Sequence, residues 1–587
     1  MPTENIHLVT LETGGNQATI FSTNKLRNIV GASELIYRVG TEYIERAIQK
    51  TTGRNFKVKD VREEISIENT EGRHIEVALA TSGKALLLVR GEDAAKEFIR
   101  EWSRIVVEEA PGIDAYAAYS AIPLDLSLPL DEKIEGSFIN VYSDAAKRYS
   151  LGKMELPSPL ARFQRIPVVA ECQYSGRPAS ELYGPEDDPV SSVAAAQVGV
   201  SRGKKEDVQR FKARIKELYP DGKGDFIDDE NGLDIFDDDK DIRWLAVVHA
   251  DGNGLGELFI NFHKYLGANA TGRDYVDRYR NFCSALDKIS REAFKKTVGE
   301  MWPDEKYAKI VPIVVGGDDL TAVMDGEKAI GFAKSFMREF SNQTAEHEDM
   351  REILNIAGFS RIGMCAGAAI IKPHFPFAQA YDLAEELTKN AKQVKKYSGS
   401  DSIALDFHIL YDSVATSIRD IRAKLVIEDS DKKKRQLTAK PYVLNKGEAT
   451  TDENISEQEK NDWLKIHDIN RFKKAVKALG TKSDQKPLLP SSQSHAVRED
   501  LFAEFRETQE AEWKYLLGKY EKFAVLWRKV TGNDTPYDDA LYIEAKISED
   551  APDHRTYFLD ALEAVKFASA GNKKTTKMPE TEGDAHE

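Results

Sequence analysis

Residues 311–324 read Val-Pro-Ile-Val-Val-Gly-Gly-Asp-Asp-Leu-Thr-Ala-Val-Met. Two apolar runs flank a turn that carries adjacent carboxylates at Asp318 and Asp319. Gly316 and Gly317 supply the positive-φ backbone that a tight turn needs, so the stretch predicts a β-hairpin over 309–324. Two aspartates at the end of buried strands repel one another and lose hydration, a cost that stands unless a cation or partner offsets it. A solvated Asp-rich turn is the competing reading of this segment alone, and a second segment decides between them.

Upstream lies Trp244-Leu-Ala-Val-Val-His-Ala250, a continuous apolar run that fits a buried strand. It ends in Asp251-Gly252-Asn253-Gly254-Leu255-Gly256, a carboxylate followed by a glycine-rich turn into a helix-like stretch. Such a turn offers backbone N–H groups at a helix N-terminus, a natural seat for phosphates. Phosphoryl transfer with two divalent cations needs carboxylates from separate strand ends. Asp251 with Asp318 and Asp319 makes that set if the two strands are neighbours. The element order supports this: helix 254–298, hairpin 309–324, a helix from Glu327 to about Phe340, strand 361–371, helix 377–397 and strand 403–410. The β-α-β-β-α-β portion is a ferredoxin-like unit, in which the first strand lies beside the hairpin.

The chain holds a second, quieter copy of this unit. Ala80–Glu92 aligns without gaps on Val315–Glu327, with Ser82 under Gly317 and Gly91 under Gly326, 235 positions apart. Gly83 then stands at Asp318 and Lys84 at Asp319. Ile6–Gly14 mirrors the strand before Asp251, with Thr13 at the carboxylate position and Glu12 one residue away. Duplication of this length implies two palms, the first without metal ligands and serving as packing partner or as holder of a second nucleotide. The predicted fold class is α+β: two ferredoxin-like (βαββαβ) palm domains, a connecting domain and an α-helical C-terminal domain. The expected boundaries are a degenerate first palm at 1–154, a connecting region at 155–240, a second palm with the Gly-Gly-Asp-Asp turn at 241–425, a helical domain at 440–572 and a disordered tail at 573–587.

The paired palms, Asp251–Gly256 and Gly316–Asp319 resemble the large signature subunit of type III CRISPR effector complexes, as do Asn24–Ile36 and Leu437–Tyr442. The resemblance covers roughly residues 1–570, is strongest in the second palm and is closest to the III-B branch. It implies a nucleotidyltransferase of antiviral defence that joins ATP into 3′–5′ cyclic oligoadenylate when the complex binds target RNA. On that resemblance Asp251, Asp318 and Asp319 are catalytic and hold Mg²⁺ or Mn²⁺, while Gly252, Asn253, Gly254, Gly316, Gly317 and Ser33 face the nucleotide. Lys392, in the basic stretch Lys389–Lys396, would reach the triphosphate. The implied partners are other type III effector subunits, CRISPR RNA and, through the complex, target RNA. The chain also departs from the family. A palm strand from Ile6 leaves no room for an HD nuclease domain, so none is expected, and the lone His467-Asp468 dipeptide reads as surface. Cys172, alone in Glu171–Ala179, is too few for a four-ligand zinc site, so no zinc is expected.

Composition sets outer limits. A chain of 587 residues with 41% hydrophobic content supports three or four domains. Cysteines at 172, 283 and 365 make no disulfide framework and suit a reducing cytoplasm. No apolar run reaches membrane-spanning length, so no membrane partner is expected. The net charge of −16 argues against a free-standing, non-specific nucleic-acid binder. RNA contact is therefore expected from local patches, such as Lys432–Arg435, or from partner subunits. The acidic run from Asp225 to Asp241 reads as solvated loop, and the aromatics of Leu501–Trp527 read as helical core. Two other classes compete. A diguanylate-cyclase-like enzyme shares the Gly-Gly-acid-acid hairpin, but Asp319-Leu320, the second palm and the large helical region count against it. A non-catalytic ribonucleoprotein scaffold would be free to lose Asp251, Asp318 and Asp319, which are all retained.

Overall fold

The structure is a computed structural model. It describes residues 5–155, 163, 165–183, 187–229, 232–236, 242–411, 417–428, 434–447, 454–503, 506–531, 540–548 and 551–568. The first palm is built from β1 (Ile6–Gly14), α1 (Leu26–Gly40), β2 (Ile75–Thr81), β3 (Lys84–Arg90), α2 (Glu92–Glu109) and β4 (Asp114–Tyr119). Its sheet order is β2-β3-β1-β4 with antiparallel neighbours throughout, as a ferredoxin-like unit requires. Leu8, Val9 and Leu11 of β1 are fully buried in its core. From the connecting region, α3 (Ser192–Arg202) packs on α1, and its first turn is capped by the Ser191 hydroxyl, which accepts from the Ala194 N–H at 3.2 Å.

The second palm contains β5 (Leu245–Gly252), α4 (Gly272–Met301), β6 (Ile310–Gly316), β7 (Asp319–Asp325), α5 (Ala329–Glu346), β8 (Met364–Ile371), α6 (Phe377–Ala391), β9 (Ile403–Ile409) and β10 (Tyr442–Asn445). Its sheet runs β10-β9-β8-β5-β7-β6, so the strand ending in Asp251 lies against the second hairpin strand. The β8 sequence Met-Cys-Ala-Gly-Ala-Ala-Ile-Ile is buried at every position. Its small residues let α6 lie close, since a Cβ on Gly367 would come within 2.1 Å of the Ala384 carbonyl oxygen. β10 joins the palm sheet from a stretch that the sequence assigns to the C-terminal helical region.

Two expected helices are shorter than their patterns. The stretch expected as helix 254–298 divides into Leu255–Ile260, a 3₁₀ turn at Phe262–Tyr265 and α4. Thr271 and Asp274 form a capping box that begins α4 afresh and satisfies its first N–H groups. The helix expected at 377–397 ends at Ala391, and a short turn of helix follows at Val394–Ser398.

The two hairpins share bounds at the same 235-residue spacing, Ile75–Thr81 and Lys84–Arg90 against Ile310–Gly316 and Asp319–Asp325. The first strands do not follow the expected alignment. Glu12 pairs with Lys84 as Asp251 pairs with Asp319, and the Thr13 N–H donates to Gly83 O as the Gly252 N–H donates to Asp318 O. Glu12, not Thr13, therefore occupies the Asp251 position. A one-residue difference in the connection is invisible to sequence alignment but fixed by ladder hydrogen bonds.

The palms dock reciprocally. Helix α1 packs on β6, where the Ser33 hydroxyl donates to the Ile313 carbonyl, and α4 packs on β2. There Glu76, fully buried, accepts from Arg273 at 2.7 Å and from Arg280. The Phe21 ring of the first palm stacks on Tyr381 of the second at 4.1 Å. The C-terminal region is largely helical and adds a small sheet formed by Val426–Glu428, Lys434–Gln436, Ala551–Arg555 and Ile543–Ser548.

Two surface expectations are corrected. Arg435 is buried, bonded to Gln509 and Tyr542, because its strand is an inner member of the small sheet. His467 is also buried, stacked on Trp463 with Nδ1 2.7 Å from the Pro441 carbonyl oxygen. Asp237–Asp241, Lys432–Lys433 and the 573–587 tail lie outside the described residues. Among the described residues no helix is long and apolar enough to cross a membrane.

Candidate active site

Asp251 stands at the end of β5, directly across the ladder from Asp319 at the start of β7, and Asp318 occupies the turn before it. One carboxylate oxygen from each lies within 4.8 Å of the others. Two glycines make this approach possible. Gly317 takes a positive φ of 58°, which an L side chain adopts only at a cost. A Cβ on Gly252 would meet the Asp318 Cβ at 2.7 Å, so only glycine lets the β5 end touch the turn. In the first palm the positive φ shifts to Gly83, the counterpart of Asp318, and no carboxylate is presented there.

The electrostatics follow from this crowding. Burial and then the neighbouring Asp318 and Asp251 charges push Asp319 up to about 8. Burial and the Asp251 charge push Asp318 up to about 6. Asp319 is reachable by solvent, yet it stands at the rim of a cleft whose walls limit hydration. Among the described residues the cation paired with the cluster is Lys392, which closes α6 and places Nζ 2.5 Å from Asp251 Oδ2. Three converging carboxylates against this ammonium form a hard-oxygen set of the kind that Mg²⁺ and Mn²⁺ prefer.

The remaining expected residues divide. Gly316 and Gly317 line the cavity beside Asp319, and so does Ser33, whose hydroxyl is engaged by Ile313. Gly254 has φ 78° and precedes the short Leu255–Ile260 helix. Asn253 turns into the protein: its backbone N–H donates to Gly363 O at 2.8 Å and its Nδ2 to Ser402 O at 2.9 Å. It therefore holds the β5 end against the β8 and β9 entries instead of facing the carboxylates. Behind the site His249 is buried, with Nδ1 3.0 Å from Thr321 Oγ1, and burial lowers its pKa.

Of the three aspartates, Asp319 lines a cavity of about 990 Å³ between the palms, at the upper end of the size range for ligand pockets. From the first palm Ser33, Tyr37 and Lys84 line it, and from α4 Asp287, Lys288 and Arg291. Lys84 stands at the counterpart of Asp319 with Nζ 4.0 Å from Glu12, so the degenerate palm offers a cation where the second offers carboxylates. The α4 side chains were missed from sequence. Their only signal is a cluster of charges at i, i+1 and i+4 on a helix that otherwise reads as amphipathic.

Residues 244–404 match the family model described as Cas10/Cmr2, second palm domain. The chain carries a Cas10-like second palm. Its bounds enclose β5, the hairpin, Lys392 and all three aspartates. No curated protein matches the chain. Similar solved structures include Csm1 in T.onnurineus, at 13% identity and TM-score 0.48, covering 96% of this chain and 69% of that one. The Csm1-Csm4 cassette in complex with cA4 aligns at 12% identity and TM-score 0.44, covering 96% and 70%. The apo cassette aligns at 15% identity and TM-score 0.34, covering 68% and 54%.

Proposed function

We propose that this Cas10-like chain acts as the large subunit of a type III CRISPR effector and converts ATP to cyclic oligoadenylate when the complex binds target RNA. The observation that carries the reading is the convergence of Asp251, Asp318 and Asp319, with Asp319 lining a cavity walled by both palms. A cavity shared by two palms suits a reaction that joins two nucleotides. Bound Mg²⁺ or Mn²⁺ would neutralise phosphate charge and favour ionisation of an attacking 3′-hydroxyl. Asp251 and Asp319 would hold such ions from neighbouring strands, with Asp318 completing the set from the turn. Lys392 would move from Asp251 to a triphosphate oxygen once a cation takes its place, since an ammonium serves as a point-charge partner for either. Lys84 would meet phosphate on the opposite wall. Other type III subunits and CRISPR RNA are the proposed partners.

The test is mass-spectrometric identification of products made by the assembled complex from ATP or GTP, with and without target RNA. Cyclic oligoadenylate formed only with ATP and target RNA is the expected result. Ready formation of cyclic di-GMP from GTP would transfer the assignment to a diguanylate-cyclase-like enzyme, and no nucleotide product would leave a scaffold.

A further inference from the structure

We infer that Asp287, Ser290 and Arg291 of α4 are positioning residues that lock the Gly317–Asp319 turn into its metal-binding shape and tie it to the first palm through Tyr37. The inference rests on the reading of Asp251, Asp318 and Asp319 as a metal site. The three residues share one face of α4, at spacing i, i+3 and i+4. The Gly317 carbonyl accepts from the Ser290 hydroxyl, and the Asp287 carboxylate faces the same turn, where the Gly317 N–H favours its charged form. The turn is thus bonded at the Gly317 carbonyl and crowded by Asp287 on the Gly316 side, both from α4. A glycine has no side chain to pin it and is the residue most free to change φ and ψ. Without these two contacts the residue before the metal ligands would be the loosest point of the hairpin.

The helix lies hard against the turn, since a Cβ on Gly316 would stand 2.9 Å from Asp287 Oδ1. Asp287 is steadied in turn by Arg291, 2.9 Å away, and Arg291 shares the cavity wall with Tyr37 of α1, whose charge it would favour. The Tyr37 ring sits under the Arg214 guanidinium at 4.4 Å, and Arg214 donates to Glu34 of the same helix at 2.7 Å. A chain of polar neighbours therefore runs from α1 of the degenerate palm to the peptide that precedes Asp318. None of the α4 residues bonds to the three aspartates themselves. Their effect is on where those carboxylates point, the kind of support that outer-shell groups give to metal ligands.

The experiment measures Mn²⁺ affinity of the full chain by electron paramagnetic resonance, alongside ATP turnover, in Asp287→Ala, Asp287→Asn, Ser290→Ala and Tyr37→Phe. Asp287→Ala is expected to weaken Mn²⁺ binding ~10–100-fold and to lower kcat ~100-fold with little change in the KM for ATP. Asp287→Asn keeps an acceptor oxygen for Gly317 and should recover most of both. Ser290→Ala and Tyr37→Phe should shift Mn²⁺ affinity in the same direction by less. Wild-type Mn²⁺ affinity in Asp287→Ala, or a raised KM with unchanged kcat, would overturn the inference; the latter would make Asp287 a nucleotide contact. If Asp287→Ala does not fold, unchanged Mn²⁺ affinity in Ser290→Ala overturns it equally. Mn²⁺ affinity is independent of the product made. A chain whose Mn²⁺ site depends on Asp319 and Asp287 but which yields no oligoadenylate supports the relay and sinks the proposed function. A wild-type chain with no Asp319-dependent Mn²⁺ site overturns both.

Discussion

Burial and two neighbouring carboxylates raise the Asp319 pKa, and burial and the Asp251 charge raise that of Asp318, so the pair keeps protons well above the usual carboxylate range. Raised carboxylate pKa values give a definite sign to the pH dependence. Between about pH 4 and pH 8 the folded state binds more protons here than the unfolded chain, so this pair's contribution to stability falls as pH rises. Calorimetry of the metal-free protein should show a melting temperature that declines from pH 6 to pH 8.5, with Mn²⁺ restoring the loss. Asp319→Asn removes one of the opposing charges; it should flatten that decline and abolish the Mn²⁺ effect. A metal-free melting curve as steep in Asp319→Asn as in wild type would count against the crowding of these carboxylates. Lys392 is the second residue-scale case. Its ammonium answers Asp251 in this structure and is proposed to reach phosphate in the working complex. Loss of a charge-assisted hydrogen bond of about 1.5–3 kcal/mol should lower nucleotide synthesis by Lys392→Ala at least ~10-fold. Complex assembly, followed by size-exclusion chromatography, should be unchanged. Wild-type kinetics would return Lys392 to the role of a solvated charge.

Elements show where sequence reading succeeds and where it stops. The hairpin was legible because two apolar runs around Gly316 and Gly317 leave few alternatives, and β5 because Trp244–Ala250 is unbroken. The register of β1 was not legible, since nothing in Glu12-Thr13 says which of them meets Lys84; only the ladder does. The break before α4 was equally hidden, because the cap at Thr271 and Asp274 interrupts a pattern that stays amphipathic on both sides. Contacts between palms left the weakest trace of all. Glu76 gives no sign in sequence of meeting Arg273 and Arg280, nearly 200 residues away or more. Burial alone would raise the Glu76 pKa, but hydrogen bonds and charge from Arg273 and Arg280 hold it below the usual carboxylate range. Its contribution to stability is therefore present at neutral pH and lost as pH falls through the lowered folded-state value. Glu76→Ala strands two guanidinium groups at the interface and should cost about 3 kcal/mol in urea unfolding. A cost near zero would show that this buried ion pair does not help to hold the palms together.

Across the whole molecule the division of labour is between two copies of one unit. The second palm keeps Asp251, Asp318 and Asp319; the first puts Glu12, Gly83 and Lys84 in their places and closes the other side of the cavity. A net charge of −16 argues against free-standing, non-specific nucleic-acid binding, in keeping with the proposed role inside an assembly. The central claim is that the three aspartates hold the cations of nucleotide polymerisation. It is tested most directly by following labelled ATP in the assembled, target-bound complex carrying Asp318→Ala and Asp319→Ala together. The account predicts that Mg²⁺- or Mn²⁺-dependent turnover is abolished while target RNA and subunit binding persist. Full ATP turnover in that double variant would contradict it.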